Sequence, residues 1–206
     1  MHRRTLLWAA VVLAFAGAAF VWRAELFTVS RPGDRPRPLQ LIPAGKRTAV
    51  SFDVIVTAIP NGLHHLSSAA EPVLIHYWAP WERHSLVQAA ALDSLSRSAE
   101  IGGLHAVLVC FDPFPSVARF VARHRLRITV LLDRERSLRA ALPCPSVPYT
   151  YVIDAAGRIA VAQAGEVDWW ADETRAALGS LLHEPAPRPG ASGHRPAAIS
   201  SRNTAP

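Results

Sequence analysis

The amino-acid sequence predicts a three-layer α/β domain with a central mixed sheet. Two observations carry that prediction. Short apolar runs rich in β-branched and aromatic residues, at 72–78, 104–110 and 128–132, alternate with segments of helical period. That order lays helices over buried strands. A hairpin-like pair of segments and a last helix then close the block, which adds antiparallel strands to the sheet.

Each element has its own warrant. Residues 51–58 read as a strand, and Asn61-Gly62 is a turn signal leading to a second short strand at 63–66. The run PVLIHYW, 72–78, has the composition of a buried strand. Beyond it the period changes. Leu86, Val87, Ala90, Ala91, Ser94 and Leu95 share one helical face, ending near Gly102-Gly103. LHAVLVC, 104–110, is another buried strand. DPFPS suits a helix start, and Val117, Phe120 and Val121 continue its apolar face. Residues 128–132 read as a strand and 134–142 as a short helix. Residues 149–154 and 158–164 flank Ala155-Ala156-Gly157 as a hairpin. The closing helix, 172–182, offers Ala176, Ala177, Leu178, Leu181 and Leu182 for packing.

The flanks differ in composition. Residues 5–22 are uncharged and apolar on all sides after Arg3 and Arg4. As a helix they span about 27 Å, close to the hydrocarbon thickness of a bilayer. Residues 1–22 thus read as a signal anchor or transmembrane segment. A cleaved signal peptide is the competing reading, because Ala14-Phe15-Ala16 and Ala16-Gly17-Ala18 offer small-residue cleavage sites. Arginines on both sides leave the orientation undecided by charge. Residues 23–47 carry Pro32, Pro36, Pro38 and Pro43 among charges and read as an extended linker. Residues 184–206 are rich in proline, alanine and serine and read as a disordered tail. The folded domain is placed at 48–183.

Composition excludes some classes. Half of the 206 residues are apolar, enough for a real core. The formal charge is +6, with Lys46 the only lysine. Arg23, Arg47, Arg97, Arg139 and Arg175 are scattered along the chain, unlike the gathered charge of a nucleic-acid binder.

Several strings, in this order, resemble the thioredoxin-like fold, most closely the membrane-anchored, exported TlpA/ResA type. VLIHYWAPW is similar to the strand leading into that family's active site. SVPYTYVIDAAGRI is similar to its second signature, a Pro-x-Thr segment entering a strand and then an Asp-x-x-Gly turn. VLVCFD and LLD fit the elements between them. The resemblance covers residues 50–183. With the anchor and spacer it implies a thioredoxin-like three-layer domain in the periplasm, held to the bacterial inner membrane by an N-terminal transmembrane helix.

On this resemblance the family's Cys-x-x-Cys falls on Glu82, Arg83, His84 and Ser85, so neither cysteine is present. The family's first cysteine attacks a disulfide as a thiolate. Neither a glutamate nor a serine can form a mixed disulfide. Glu82 instead reads as a carboxylate favoured by a helix start. Pro148 aligns with the family's cis-proline, whose loop pairs with an extended peptide through main-chain groups. Trp81, Val147 and Pro148 are therefore the candidate peptide-binding residues. His76, in the place of a buried proton-transfer group, reads as a hydrogen-bonded core histidine.

Cys110 and Cys144 are the only thiols. On the family topology they lie about 9–10 Å apart, beyond disulfide reach unless the loop before Pro148 shortens the gap. Cys144 is placed nearer the groove and is the better candidate for a reactive thiol. His64, His65 and His84, with Cys110, invite a copper-site hypothesis. The first functional expectation is a module without the redox pair, needing no cofactor and holding a partner protein or extended peptide. Two alternatives stay open: a thiol–disulfide oxidoreductase using Cys144 or Cys110, and a copper-handling protein.

Overall fold

The structure, a computed structural model, describes residues 35–60, 62–68, 71–98, 101 and 104–184. The anchor expected over 1–22 and nearly all of the expected tail lie outside the described residues. Among the described residues no helix is long and apolar enough to cross a membrane.

The described strands form one sheet: β1 (Asp53–Ile59), β2 (Gly62–Ser67), β3 (Val73–Tyr77), β4 (His105–Cys110), β5 (Thr129–Leu132), β6 (Tyr149–Ile153) and β7 (Ile159–Ala164). Their spatial order is β2-β1-β5-β4-β3-β6-β7. β3, β4 and β5 are parallel. β1 joins β5, and β6 joins β3, in antiparallel fashion. The mixed sheet expected from the sequence is present. The helices are α1 (Arg83–Leu95), α2 (Phe114–His124), α3 (Ser137–Ala141) and α4 (Asp172–Leu182).

Side-chain alternation along the strands sorts the core into two layers. On one face Leu74, Leu108 and Val130 meet Leu92 of α1, Val117 of α2 and Leu178 of α4. On the other, Ile75, Val107 and Leu131 meet Leu138 of α3, Phe52 just before β1, and Val56 and Leu66 of the β1–β2 hairpin. β3 is buried along its whole length. That explains its unbroken apolar run and fixes it as the platform for the loop that follows.

The expected linker needs correction. From residue 37 onward it is part of the folded unit. Arg37 bridges Val167, and Leu39 is buried in the α1/α4 core layer. Ile42 N–H donates to Ala160 O at 2.8 Å, and Ile159 N–H to Thr48 O at 2.9 Å. This strap covers the outer edge of β7, whose backbone groups would otherwise be unpaired. Arg47 locks its end. Its guanidinium reaches Asp154 Oδ2 at 2.9 Å and Glu184 Oε2 at 2.5 Å, and its side chain is 3% exposed. Proline-rich composition reads as extended chain, and the strap is extended. What composition does not reveal is the distant edge it docks on.

Candidate functional site around Trp81

α1 starts where β3 leaves the sheet, and its first turn holds the four residues aligned with the missing cysteine motif. Glu82 is the N-cap, and its carboxylate accepts the Ser85 backbone N–H. The residue is 5% exposed, so it serves the helix rather than the solvent. Such a cap is worth about 0.5–2 kcal/mol. Ser85 is fully buried. The Nδ1 of His84 lies 2.5 Å from Glu166 Oε1. Gln88 both donates to Val167 O at 3.0 Å and accepts from Val167 N–H at 2.9 Å. These bonds fasten α1 to the segment between β7 and α4.

His76 sits beneath this turn with no solvent exposure. Its Nδ1 lies 2.9 Å from Thr150 Oγ1, as expected of a hydrogen-bonded core histidine. Burial pushes its pKa down to about 3, so it stays neutral at any ordinary pH. Trp169 meets its ring edge-on at 5.6 Å. The Nε2 of His76 and the Ser85 hydroxyl have no hydrogen-bond partner among the described residues. Ser85 therefore has no base against it, and the pair does not form an activated nucleophile.

The Val147–Pro148 bond is cis, which the resemblance implied. The preceding loop is pinned from below: the Tyr77 hydroxyl donates to Leu142 O at 3.1 Å and the Tyr151 hydroxyl to Pro143 O at 2.7 Å. Of the three expected peptide-binding residues, Val147 and Pro148 are buried and Trp81 is 56% exposed. The open concavity beside Trp81 faces α2 instead. It measures about 310 Å³ and is lined by Pro80, Trp81, Asp112, Ser116, Arg119, Phe120 and Arg123.

Cys110 and Cys144 are both free and buried, and they lie in the two core layers on opposite faces of the sheet. Cys110 belongs to the layer of α1, α2 and α4, and Cys144 to that of α3 and the hairpin. The Cys110 thiol donates to Asp112 Oδ2 at 3.3 Å and the Cys144 thiol to Ser146 O at 3.0 Å. Burial raises both pKa values, that of Cys144 to about 12. Each is thus held as a protonated thiol, a poor nucleophile. The expected ranking of Cys144 as the more reactive thiol gains nothing from its 1% exposure.

The histidines disperse. His64 stacks edge-on with His105 at 5.2 Å, His65 pairs with Asp53, and His84 pairs with Glu166. The three are not brought to one point. Among the described residues no group of three or more histidine, cysteine or acidic side chains could hold a metal ion.

Sequence reasoning missed the arginines that line the concavity. Residues 113–132 carry Arg119, Arg123, Arg125, Arg127 and His124 and no acidic residue. The signal was the spacing of four between Arg119 and Arg123, which puts them on one helical face opposite Val117 and Val121.

The domain has the thioredoxin-like fold, and its structural neighbours are thioredoxin-like thiol–disulfide oxidoreductases. It is similar to StoA of Bacillus subtilis, at 16% identity and a TM-score of 0.54, over 65% of this chain and 98% of that one. It is similar to dsbF of MTB, at 21% identity and a TM-score of 0.53, over 62% and 94%. A secreted Mycobacterium tuberculosis disulfide oxidoreductase homologous to E. coli DsbE matches at 18% identity and a TM-score of 0.53, over 62% and 96%. No family model and no curated relative matches the chain.

Proposed function

We propose that this chain is a membrane-anchored, periplasmic binding module that has kept the thioredoxin-like scaffold and given up its redox chemistry. It holds an extended segment of a partner polypeptide against the face centred on Trp81. The observation that carries this reading is Glu82. Its carboxylate caps α1 at the position where thiol–disulfide exchange needs a nucleophilic sulfur. Two further features support it. The remaining thiols are buried and protonated, and the Trp81 face offers an exposed aromatic beside an open concavity. An exposed tryptophan at a concave site is a common anchor for a partner.

Three measurements test the reading. In an insulin-reduction assay the full chain gives no turnover above background. Turnover that Cys144→Ala abolishes would overturn the proposal in favour of an unusual oxidoreductase. Thiol labelling adds a quantitative check. With Cys144 at about 12 against an ordinary value near 8.5, its thiolate fraction falls by about three to four orders of magnitude. Labelling of the native chain is expected to be slow by that order and to become fast on unfolding. Peptide binding should weaken on Trp81→Ala and survive replacement of both cysteines.

A further inference from the structure

The chemistry around Trp81 narrows the class of partner. α2 turns Arg119 and Arg123 outward, one helical turn apart, on the wall of the concavity opposite Trp81. Both are exposed, and neither makes an ion pair among the described residues. Arg47 shows the contrast, with two carboxylates on its guanidinium. The floor is apolar and held in place, since Phe120 packs on the buried Trp78 at 4.8 Å between ring centres. Asp112 is the one carboxylate in the lining, and it already accepts the Cys110 thiol hydrogen.

We propose that the concavity between Trp81 and α2 takes an acidic segment of a partner polypeptide. Carboxylates at alternate positions of that segment meet Arg119 and Arg123, and an apolar side chain between them lies against Trp81 and Phe120. The spacing suits this occupant. Helix positions four apart set their Cβ atoms about 5–6 Å apart, and alternate residues of an extended chain are about 6.5–7 Å apart. Guanidinium groups bind carboxylates through paired N–H donors. The site is a hollow with an aromatic rim, a shape that admits a side chain; a flat lipid surface would leave the hollow unfilled. The proposal rests on the binding-module reading and specifies its ligand.

The test uses the full chain in zwitterionic nanodiscs and a short fluorescein-labelled peptide with glutamates at alternate positions around a central phenylalanine. The control peptide carries lysines in place of the glutamates. Anisotropy should show the glutamate peptide binding at least about tenfold tighter, with affinity falling as salt rises. The R119E/R123E double variant should reverse that preference while its circular dichroism stays unchanged. Equal affinity for the two peptides, or a glutamate preference that survives R119E/R123E, overturns the acidic assignment and leaves Trp81-centred binding standing. Absence of binding by either peptide overturns both. Amide protection of α2 gained in anionic nanodiscs, with neither peptide binding, reassigns the patch to a lipid surface and overturns the proposal.

Discussion

Arginine works in two opposite ways at two places in this molecule. At the strap, the Arg47 side chain is buried, with Asp154 and Glu184 on its guanidinium and Ile42 O on its Nε at 2.9 Å. At the α2 wall, Arg119 and Arg123 stand in solvent beside an aromatic. A buried guanidinium must be fully paired, because an unpaired charge in a low-dielectric interior is costly. An exposed one can wait for a ligand at little cost, because water screens it. The first arrangement closes the fold, and the second leaves binding free energy to be realised later. Sequence alone shows 22 lysines and arginines and does not separate the two uses.

The contrast can be broken or sharpened by measurement. The largest effect is expected from Arg47→Met, which leaves Arg158 as the one ion-pair partner of Asp154 among the described residues and Glu184 without its partner. Chemical denaturation should report a loss of about 3 kcal/mol. A loss near zero would mean the strap is held by its backbone bonds and Leu39 alone.

Acid should find the same clamp. Burial by itself raises the Asp154 carboxyl. The Arg158 N–H and the guanidinium groups of Arg47 and Arg158 outweigh that and hold it below the usual carboxylate range. Asp93 is held low in the same way, with Arg97 and the Ile128 and Arg127 N–H groups opposing its burial. A carboxylate with a depressed folded pKa stabilises the fold above its unfolded value, about 3.9. That contribution is lost as pH falls through the folded value. Stability should therefore hold down to about pH 5 and drop below about pH 4. In Arg47→Met the drop should be shallower.

Glu82→Ala comes next. It removes the cap from α1 and should cost about 1 kcal/mol, with thermal unfolding as the readout. Smallest of all, Arg119→Ala with Arg123→Ala should leave stability within about 0.5 kcal/mol of the parent. A larger loss would place those arginines with Arg47, as parts of the fold.

Much of the fold was legible because its signals are local. β3 and β4 read as buried strands since both of their faces are covered, and α4 was placed at its observed bounds, 172–182. The cis bond at Pro148 followed from the resemblance in SVPYTYVIDAAGRI. The strap was not legible, because its partners Glu184, Thr174 and the β7 edge lie more than a hundred residues away. The groove was not legible for a related reason. Arg119 and Arg123 gain meaning only where α2 comes to rest beside Trp81, and no short stretch of sequence encodes that meeting. Trp81, Val147 and Pro148 were singled out together, and the structure exposes the first and buries the other two.

The two thiols sit in separate core layers on opposite sides of one continuous β-sheet. A chain with this layout keeps its two thiols apart and unbonded. Its midpoint of unfolding should be the same with or without dithiothreitol.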